Sequence, residues 1–274
     1  MEHVADVARA RVLFAASPRP LGFVPTMGAL HDGHLELVAH ARRQSACVAV
    51  SIFVNPLQFG PTEDLARYPR YPEADRQKLG AAGVDILFTP ETAAMYRPGF
   101  STSVDPGPIA TVFEGAVRPG HFRGVATVIA KLLNIVRPGV LFLGQKDAQQ
   151  AVVLRNMIAD LDFGVQLEIV PTVREPDGLA MSSRNVYLDS EQRAQAPTLH
   201  RALLAMRDAL ERGRRREDAI AAGTAALSPS AALDYLDVVD GETFEALERL
   251  RTPAFVIGAA RFGTTRLIDN LWVR

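Results

Sequence analysis

The chain has 274 residues and is close to neutral, with 30 Lys and Arg against 31 Asp and Glu and a net charge of −1. That balance argues against a protein that lives on nucleic-acid phosphates, while an apolar share of 48% supplies material for a real core. Cys47 is the single cysteine, so an intrachain disulfide and a Cys-rich zinc site are excluded.

The length suits one large domain with a smaller one. The first fourteen residues mix Glu2, Asp6, Arg9 and Arg11 with apolar positions. They lack the basic-then-apolar order of a secretory signal. No apolar stretch is long enough to span a bilayer. The expectation is a cytoplasmic chain with no membrane or nucleic-acid partner.

Residues 21–24 read as a buried strand, residues 33–45 as a helix with Leu35, Val38 and Ala41 on one side, and residues 46–54 as a second strand. Cys47 falls in that strand, which favours a small buried side chain over a nucleophile. A strand, a helix and a strand in this spacing make a βαβ unit and imply a parallel sheet. The alternation recurs. Residues 72–82, 125–136 and 147–160 read as helices, and residues 84–88, 140–143 and 165–170 as strands. The pattern predicts an α/β class, a Rossmann-like doubly wound parallel sheet.

Composition changes near Pro171. Arg174-Glu175-Pro176-Asp177-Gly178 is turn chemistry. A helix follows over 190–213, opened by a capping box of Asp189 and Gln192, then another near 217–227. The basic cluster at 212–216 reads as the solvated end of a helix. Residues 233–239, 254–262 and 266–273 read as strands, with Gly263-Thr264-Thr265 as a hairpin turn. The division expected is a Rossmann-like domain over 1–174 and a smaller α+β domain over 175–274.

The chemistry-bearing segment is Pro25-Thr26-Met27-Gly28-Ala29-Leu30-His31-Asp32-Gly33-His34, where the first strand hands over to a helix. Ligands bind at that carboxyl edge in open α/β folds. A helix N-terminus attracts anions, and Gly28 and Gly33 let the backbone approach a phosphate. Imidazoles there suit oxygens that gain charge during transfer. The residues alone leave open two polar loop histidines, or half of a metal site, although no third ligand stands at a plausible spacing. Lys146 follows a strand at the same edge, and a solvated lysine is the competing reading. Gln58 and Gln150 suit a hydroxy acid or plain surface hydrogen bonding. Arg118, His121 and Arg123 stand before a helix, either to assist substrate or to cap the helix and pair with local acids.

His31-Asp32-Gly33-His34 resembles the HIGH signature of the nucleotidyltransferase superfamily, and Met181-Ser182-Ser183-Arg184 its KMSKS-type phosphate loop. Six ordered segments narrow the resemblance: Pro25 to His31, Phe53 to Phe59, Tyr68-Pro69-Arg70, Arg118 to Val125, Gly144 to Gln150, and Met181 to Arg184. Together they resemble the pantoate–β-alanine ligase (pantothenate synthetase) family. One departure is Gln145, where that family often has Glu.

The resemblance implies ATP as a substrate, bound by Met27, Gly28, Ala29, Leu30, His31, Asp32, Gly33 and His34. It extends that site to Gly144, Gln145, Lys146 and Asp147, to Val173 through its backbone, and to Met181, Ser182, Ser183 and Arg184. His34 becomes the catalytic acid, with His31 and Lys146 beside it in the catalytic set. Gln58 and Gln150 become pantoate ligands, with Gln58 also near β-alanine. Mg2+ is expected mainly on the ATP phosphates, with no protein ligand named. Pantoate would be adenylated, with loss of pyrophosphate, and β-alanine would then displace AMP. The small domain or the 176–184 loop would serve as lid, and the assembly would be a homodimer. The rivals are a transferase that keeps the nucleotide on its product, and a nucleotide-binding module without turnover.

Overall fold

The computed structural model describes residues 1–61 and 63–274. They form two compact units, residues 1–144 with 153–170, and residues 145–152 with 171–274.

The first unit contains β1 (Glu2–Val4), α1 (Val7–Ala16), β2 (Leu21–Thr26), α2 (Asp32–Gln44) and β3 (Cys47–Ile52). It continues with α3 (Pro72–Ala81), β4 (Ile86–Phe88), α4 (Thr92–Met95), α5 (Glu114–Val117), α6 (His121–Val136) and β5 (Val140–Gly144). α7 (Ala148–Asp160) and β6 (Gln166–Val170) complete the series, the first turn of α7 being counted with the second unit. The six strands form one parallel sheet in the order β1-β4-β3-β2-β5-β6.

The continuous apolar runs follow from burial on both faces of a parallel sheet. Period-two alternation divides them. Leu21, Phe23, Ala49 and Leu141 join one core with Phe14 of α1 and the apolar length of α6. Val24, Val48, Val50 and Phe142 join another with Leu37, Val38 and Ala41 of α2. The chain runs from β2 outward through β3 and β4, then returns to place β5 on the other side of β2. The order therefore reverses between β2 and β5, the crevice where such sheets bind ligands.

The second unit holds α8 (Ser190–Gln195), α9 (Thr198–Glu211), α10 (Arg216–Ala226), β7 (Ala232–Asp240), β8 (Ala254–Phe262) and β9 (Thr265–Val273). The strands form an antiparallel sheet, β7-β8-β9. Leu199, Leu203 and Met206 of α9 share its core with Val256 and Phe262. The fold is the expected one: a doubly wound parallel sheet with a smaller α+β unit.

Differences from the sequence reading are local. The helix expected over 190–213 is two helices. Asp189 and Gln192 make the capping box, but Pro197 has no N–H to continue the ladder. α6 begins at His121, four residues earlier than its periodicity suggests, because Gly120 adopts a left-handed φ of 83° and starts it without a side-chain cap. β1 and α1 fall where the sequence reading assigned no element; β1 is a three-residue strand at the sheet edge, paired with β4. Cys47 is buried, and burial pushes its thiol up from the usual range, as suits an unreactive core residue.

Candidate active site

β2 ends at Thr26, and the next five residues turn into α2. Gly28 and Ala29 both have positive φ, 83° and 52°. Such a conformation costs a non-glycine residue about 1–3 kcal/mol unless its surroundings fix it. Asp75 of α3 does so. Its two oxygens accept the N–H groups of Ala29 and Leu30, each at 2.8 Å. Lys78 of the same helix donates to the Leu30 carbonyl at 2.5 Å. A Cβ at Gly28 would lie 3.1 Å from the Asp75 carboxylate, so glycine also answers a close approach. Asp75 was not singled out by sequence. An acid in the first turn of a helix reads as a dipole partner, and its target lies 45 and 46 residues away.

His31 caps α2, and the two histidines lock each other. His31 Nδ1 accepts from the Gly33 N–H at 3.2 Å, and His34 Nδ1 accepts from the His31 N–H at 3.3 Å. Their ring centroids lie 4.1 Å apart. A nitrogen that accepts a backbone N–H carries no proton, so in each neutral ring the proton sits on Nε2. Both rings thus offer an Nε2–H donor at the positive end of a helix dipole. The Nδ1 atoms of both rings thus serve the local fold, tying the Met27–His34 turn to the start of α2.

Gln58 lies in a single 3-10 turn, Pro56–Gln58, and is buried. Its Nε2 points to Met27 Sδ at 3.0 Å, which joins it to the first motif. Its Oε1 accepts from Asn55 Nδ2 at 3.1 Å. Asn55 also donates to the Gly124 carbonyl at 3.1 Å, while its Oδ1 accepts from the Leu57 N–H and the Tyr96 hydroxyl. A backbone donor and a backbone acceptor fix which way the Asn55 amide faces. That orientation in turn fixes Gln58, whose NH2 is directed to the Met27 side. Burial raises the Tyr96 phenol, keeping it a neutral donor. Gly124 is obligatory, since a Cβ there would sit 2.1 Å from the Leu57 carbonyl oxygen.

Of the three basic residues expected before a helix, Arg118 precedes α6 while His121 and Arg123 fall in its first turn, and their fates are separate. Arg118 pairs with Glu63 through Nε and Nη2. Its Nη2 also reaches the Gln58 carbonyl at 3.2 Å, and its Nη1 meets His121 Nε2 at 3.0 Å. His121 Nδ1 lies 2.8 Å from the same carbonyl. Burial, then the Arg118 charge, lowers the His121 pKa to about 4, so the ring is neutral. Burial alone would raise the Glu63 carboxyl, but the hydrogen bonds and charge of Arg118 outweigh it and hold it low. Arg123 forms an exposed pair with Asp105 at 2.7 Å.

Apart from Gly144, the last residue of the first unit's leading segment, the second unit carries the remaining residues. Gly144 ends β5, Gln145–Asp147 form a 3-10 turn, and Gln150 stands in the first turn of α7. Lys146 Nζ is 3.6 Å from Asp147 Oδ1. Asn270 of β9, nearly fully buried, donates to the carbonyls of Gln145 and Lys146 at 2.8 and 2.9 Å. Its Oδ1 accepts from Gln145 Nε2 at 3.2 Å. The residue at 145, where the resembling family often carries Glu, is thus an amide paired with an amide.

Val173 accepts the Met181 N–H at 3.0 Å, and Arg174 bridges Ala180, so residues 173–181 form a short hairpin turned at Gly178. Arg174 grips Asp269 through two bonds at 2.7 and 2.9 Å. Ser182 caps the 3-10 turn Ser183–Tyr187 that carries Ser183 and Arg184. Lys146 and Ser182, distant in sequence, line one cavity of about 10 Å³ with His200 and Asp269, room for a single water. Asn270 and Asp269 were missed by the sequence reading. Two adjacent polar residues inside an apolar strand were the available signal.

Residues 1–272 match the family model described as pantoate-beta-alanine ligase. The chain is 53% identical to a pantothenate synthetase of Thermus thermophilus, covering 100% of this chain and 99% of that one. It is also 53% identical to one of Chloroflexus aurantiacus, covering 97% and 95%. A crystal structure of the Thermus thermophilus pantothenate synthetase superposes with a TM-score of 0.94 over 99% of each chain. A pantoate-beta-alanine ligase from Francisella tularensis, 32% identical and complexed with beta-gamma ATP and beta-alanine, superposes with a TM-score of 0.79 over 99% of this chain and 97% of that one.

Proposed function

The chain belongs to the pantoate–β-alanine ligase family, and from that premise we propose that it joins pantoate to β-alanine through a pantoyl adenylate, releasing AMP and pyrophosphate. The observation that carries the reading is the reciprocal lock of His31 and His34, which fixes both imidazoles at the anion-attracting start of α2.

In the first half-reaction the pantoate carboxylate attacks the α-phosphorus of ATP. A carboxylate oxygen is a poor leaving group, and adenylation makes it a good one. The Met27–His34 segment supplies backbone N–H groups, and His34 acts as acid toward the oxygen that gains charge. His31 stands beside it. Lys146 neutralises the α-phosphate, with Gly144, Gln145 and Asp147 completing that side of the ATP site and Val173 contacting the nucleotide through its backbone. Met181, Ser182, Ser183 and Arg184 receive the departing pyrophosphate. Gln58 and Gln150 hold pantoate. The NH2 of Gln58, directed to the Met27 side, suits the oxygen acceptors of a hydroxy acid and of the β-alanine carboxylate, and it disfavours an ammonium group. In the second half-reaction the β-alanine amine attacks the carbonyl, and AMP leaves.

Magnesium is assigned to the ATP phosphates. Among the described residues no group of three His, Cys, Asp or Glu gathers as a protein-built metal site. The 175–274 domain, or the loop over 176–184, is the proposed lid over an intermediate that water would destroy. No helix of the described residues is long and apolar enough to cross a membrane. A cytoplasmic homodimer is the proposed working form.

The order of chemistry is tested without amine. With ATP, magnesium and pantoate but no β-alanine, labelled pyrophosphate should enter ATP, and only when pantoate is present. A ligase using an acyl phosphate would release ADP and show no exchange. Arg184→Ala should lose exchange more than it loses the reaction of preformed adenylate with β-alanine. Equal loss in both would reduce Arg184 to a structural role.

The acid site is tested by Gln58→Ala and Gln150→Ala. Each leaves polar substrate groups unpaired, costing about 1–3 kcal/mol. kcat/KM for pantoate should fall roughly 5- to 150-fold, with KM for ATP little changed. A fall confined to ATP use would overturn the assignment.

A further inference from the structure

We propose that Glu63, Arg118 and His121 are positioning residues that set the acid-substrate site by holding the backbone of Gln58. The proposal rests on the reading of Gln58 as a pantoate ligand.

Gln58 is held from two directions. Asn55 fixes its side-chain amide, as described above. Its carbonyl is held by a polar chain that runs one way. Glu63 engages Arg118 through Nε and Nη2, leaving Nη1 directed to His121 Nε2. A guanidinium only donates, so His121 Nε2 must accept, and the ring proton is driven to Nδ1. Nδ1–H then donates to the Gln58 carbonyl at 2.8 Å, and Arg118 Nη2 donates to the same oxygen at 3.2 Å. The acid at one end thereby selects the tautomer that grips the substrate-binding turn at the other.

Stability is a weak explanation for this chain. Arg118 and Glu63 are about four-fifths buried, and His121 is buried almost completely. Buried ion pairs contribute little net stability compared with apolar side chains of the same volume. Packing already seats the turn on α6, since the Gly124 backbone meets Leu57 with no room for a Cβ. The Phe59 N–H, on the other edge of the Gln58–Phe59 peptide, donates to the Pro56 carbonyl at a long 3.3 Å. The shorter two-donor grip on the Gln58 carbonyl adds to that bond in setting the tilt of the peptide, and with it the direction of the Gln58 amide.

The test compares two replacements for His121 by the reach of their amides. The side-chain amide of His121→Asn occupies the place of Nδ1 and keeps a donor for the Gln58 carbonyl. That of His121→Gln occupies the place of Nε2 and does not. His121→Gln should raise KM for pantoate roughly five- to tenfold, the range for one lost hydrogen bond, with kcat and KM for ATP within about twofold. His121→Asn should restore most of the loss. In a Gln58→Ala background His121→Gln should add nothing further, because its effect passes through the missing side chain. Arg118→Lys keeps the charge without the fork and should shift the same constant; it carries the test if His121→Gln does not fold. Equal loss for ATP and pantoate, no rescue by asparagine, or a full effect in the Gln58→Ala background would each overturn the positioning role. If Gln58→Ala alone left KM for pantoate unchanged, the reading of Gln58 would fall first and this proposal with it.

Discussion

Replacing His34 with alanine is expected to lower turnover by on the order of a hundredfold or more, about 3 kcal/mol of transition-state stabilisation, while ATP binding changes far less. Two functions are lost at once in that variant. His34 Nδ1 accepts the His31 N–H, and loss of such a cap costs about 1 kcal/mol of stability. His34 Nε2–H is the proposed donor to the developing charge. Two further substitutions separate them. His34→Asn places an acceptor near the Nδ1 position and removes the distal donor, so it should keep stability and lose turnover. His34→Gln places an amide near the Nε2 position and gives up the cap, so it should unfold more easily yet retain more turnover than His34→Asn. Thermal unfolding and steady-state kinetics on the same three preparations check this. Near-normal turnover of folded His34→Asn would remove His34 from the chemistry.

The largest expected loss of stability comes from Asp269→Ala. Asp269 is almost fully buried, receives two bonds from Arg174 and lies 3.4 Å from His200 Nδ1. Burial alone would raise its carboxyl, but His200 and Arg174 outweigh burial and hold it below the usual range. Removing one partner of a buried pair costs about 3–5 kcal/mol, because the remaining charge is left without compensation. Chemical denaturation should show the loss.

Its pH dependence has a definite sign. A carboxyl whose folded pKa is depressed contributes fully above its unfolded value, about 3.9, and loses that contribution as pH falls through the lower folded value. The gap between the native chain and Asp269→Ala should therefore hold at neutral pH and close only below about pH 4. A gap that closed between pH 5 and 7 would assign the effect to another group. A functional cost should accompany the structural one. Arg174 starts the hairpin that leads into Met181, and Asn270, next in the chain, holds the carbonyls of Gln145 and Lys146. Pyrophosphate exchange by Asp269→Ala should fall even under conditions where the variant is fully folded.

The fold class and the motif segments were legible because their causes are local. A parallel strand buried on both faces is nearly continuously apolar, so β2, β3 and β5 appear as apolar runs broken only near their ends, as at Ser51. A tight strand-to-helix turn needs a residue of positive φ and a capped helix start, so Gly28, His31 and His34 stand within seven residues of each other. The capping box of Asp189 and Gln192 is local for the same reason: its two bonds span three residues. Backbone preference and side-chain periodicity act over a turn or two, and there the amino-acid order was sufficient.

What the tertiary structure alone decided is who holds those segments still. Asp75 reads as a helix-start acid and is the clamp on the strained Ala29 backbone, 46 residues away. Asn55 and Tyr96, 41 residues apart, decide which end of the Gln58 amide faces Met27. Arg118 and His121, ambiguous in the sequence, meet a single carbonyl some sixty residues earlier in the chain. Asn270 reaches back 124 and 125 residues to fix the Lys146 turn. Each of these is a polar group withdrawn from water, and each must find a partner or forfeit stability. Which partner it finds depends on the packing of elements far apart in sequence, and neither periodicity nor propensity carries that information.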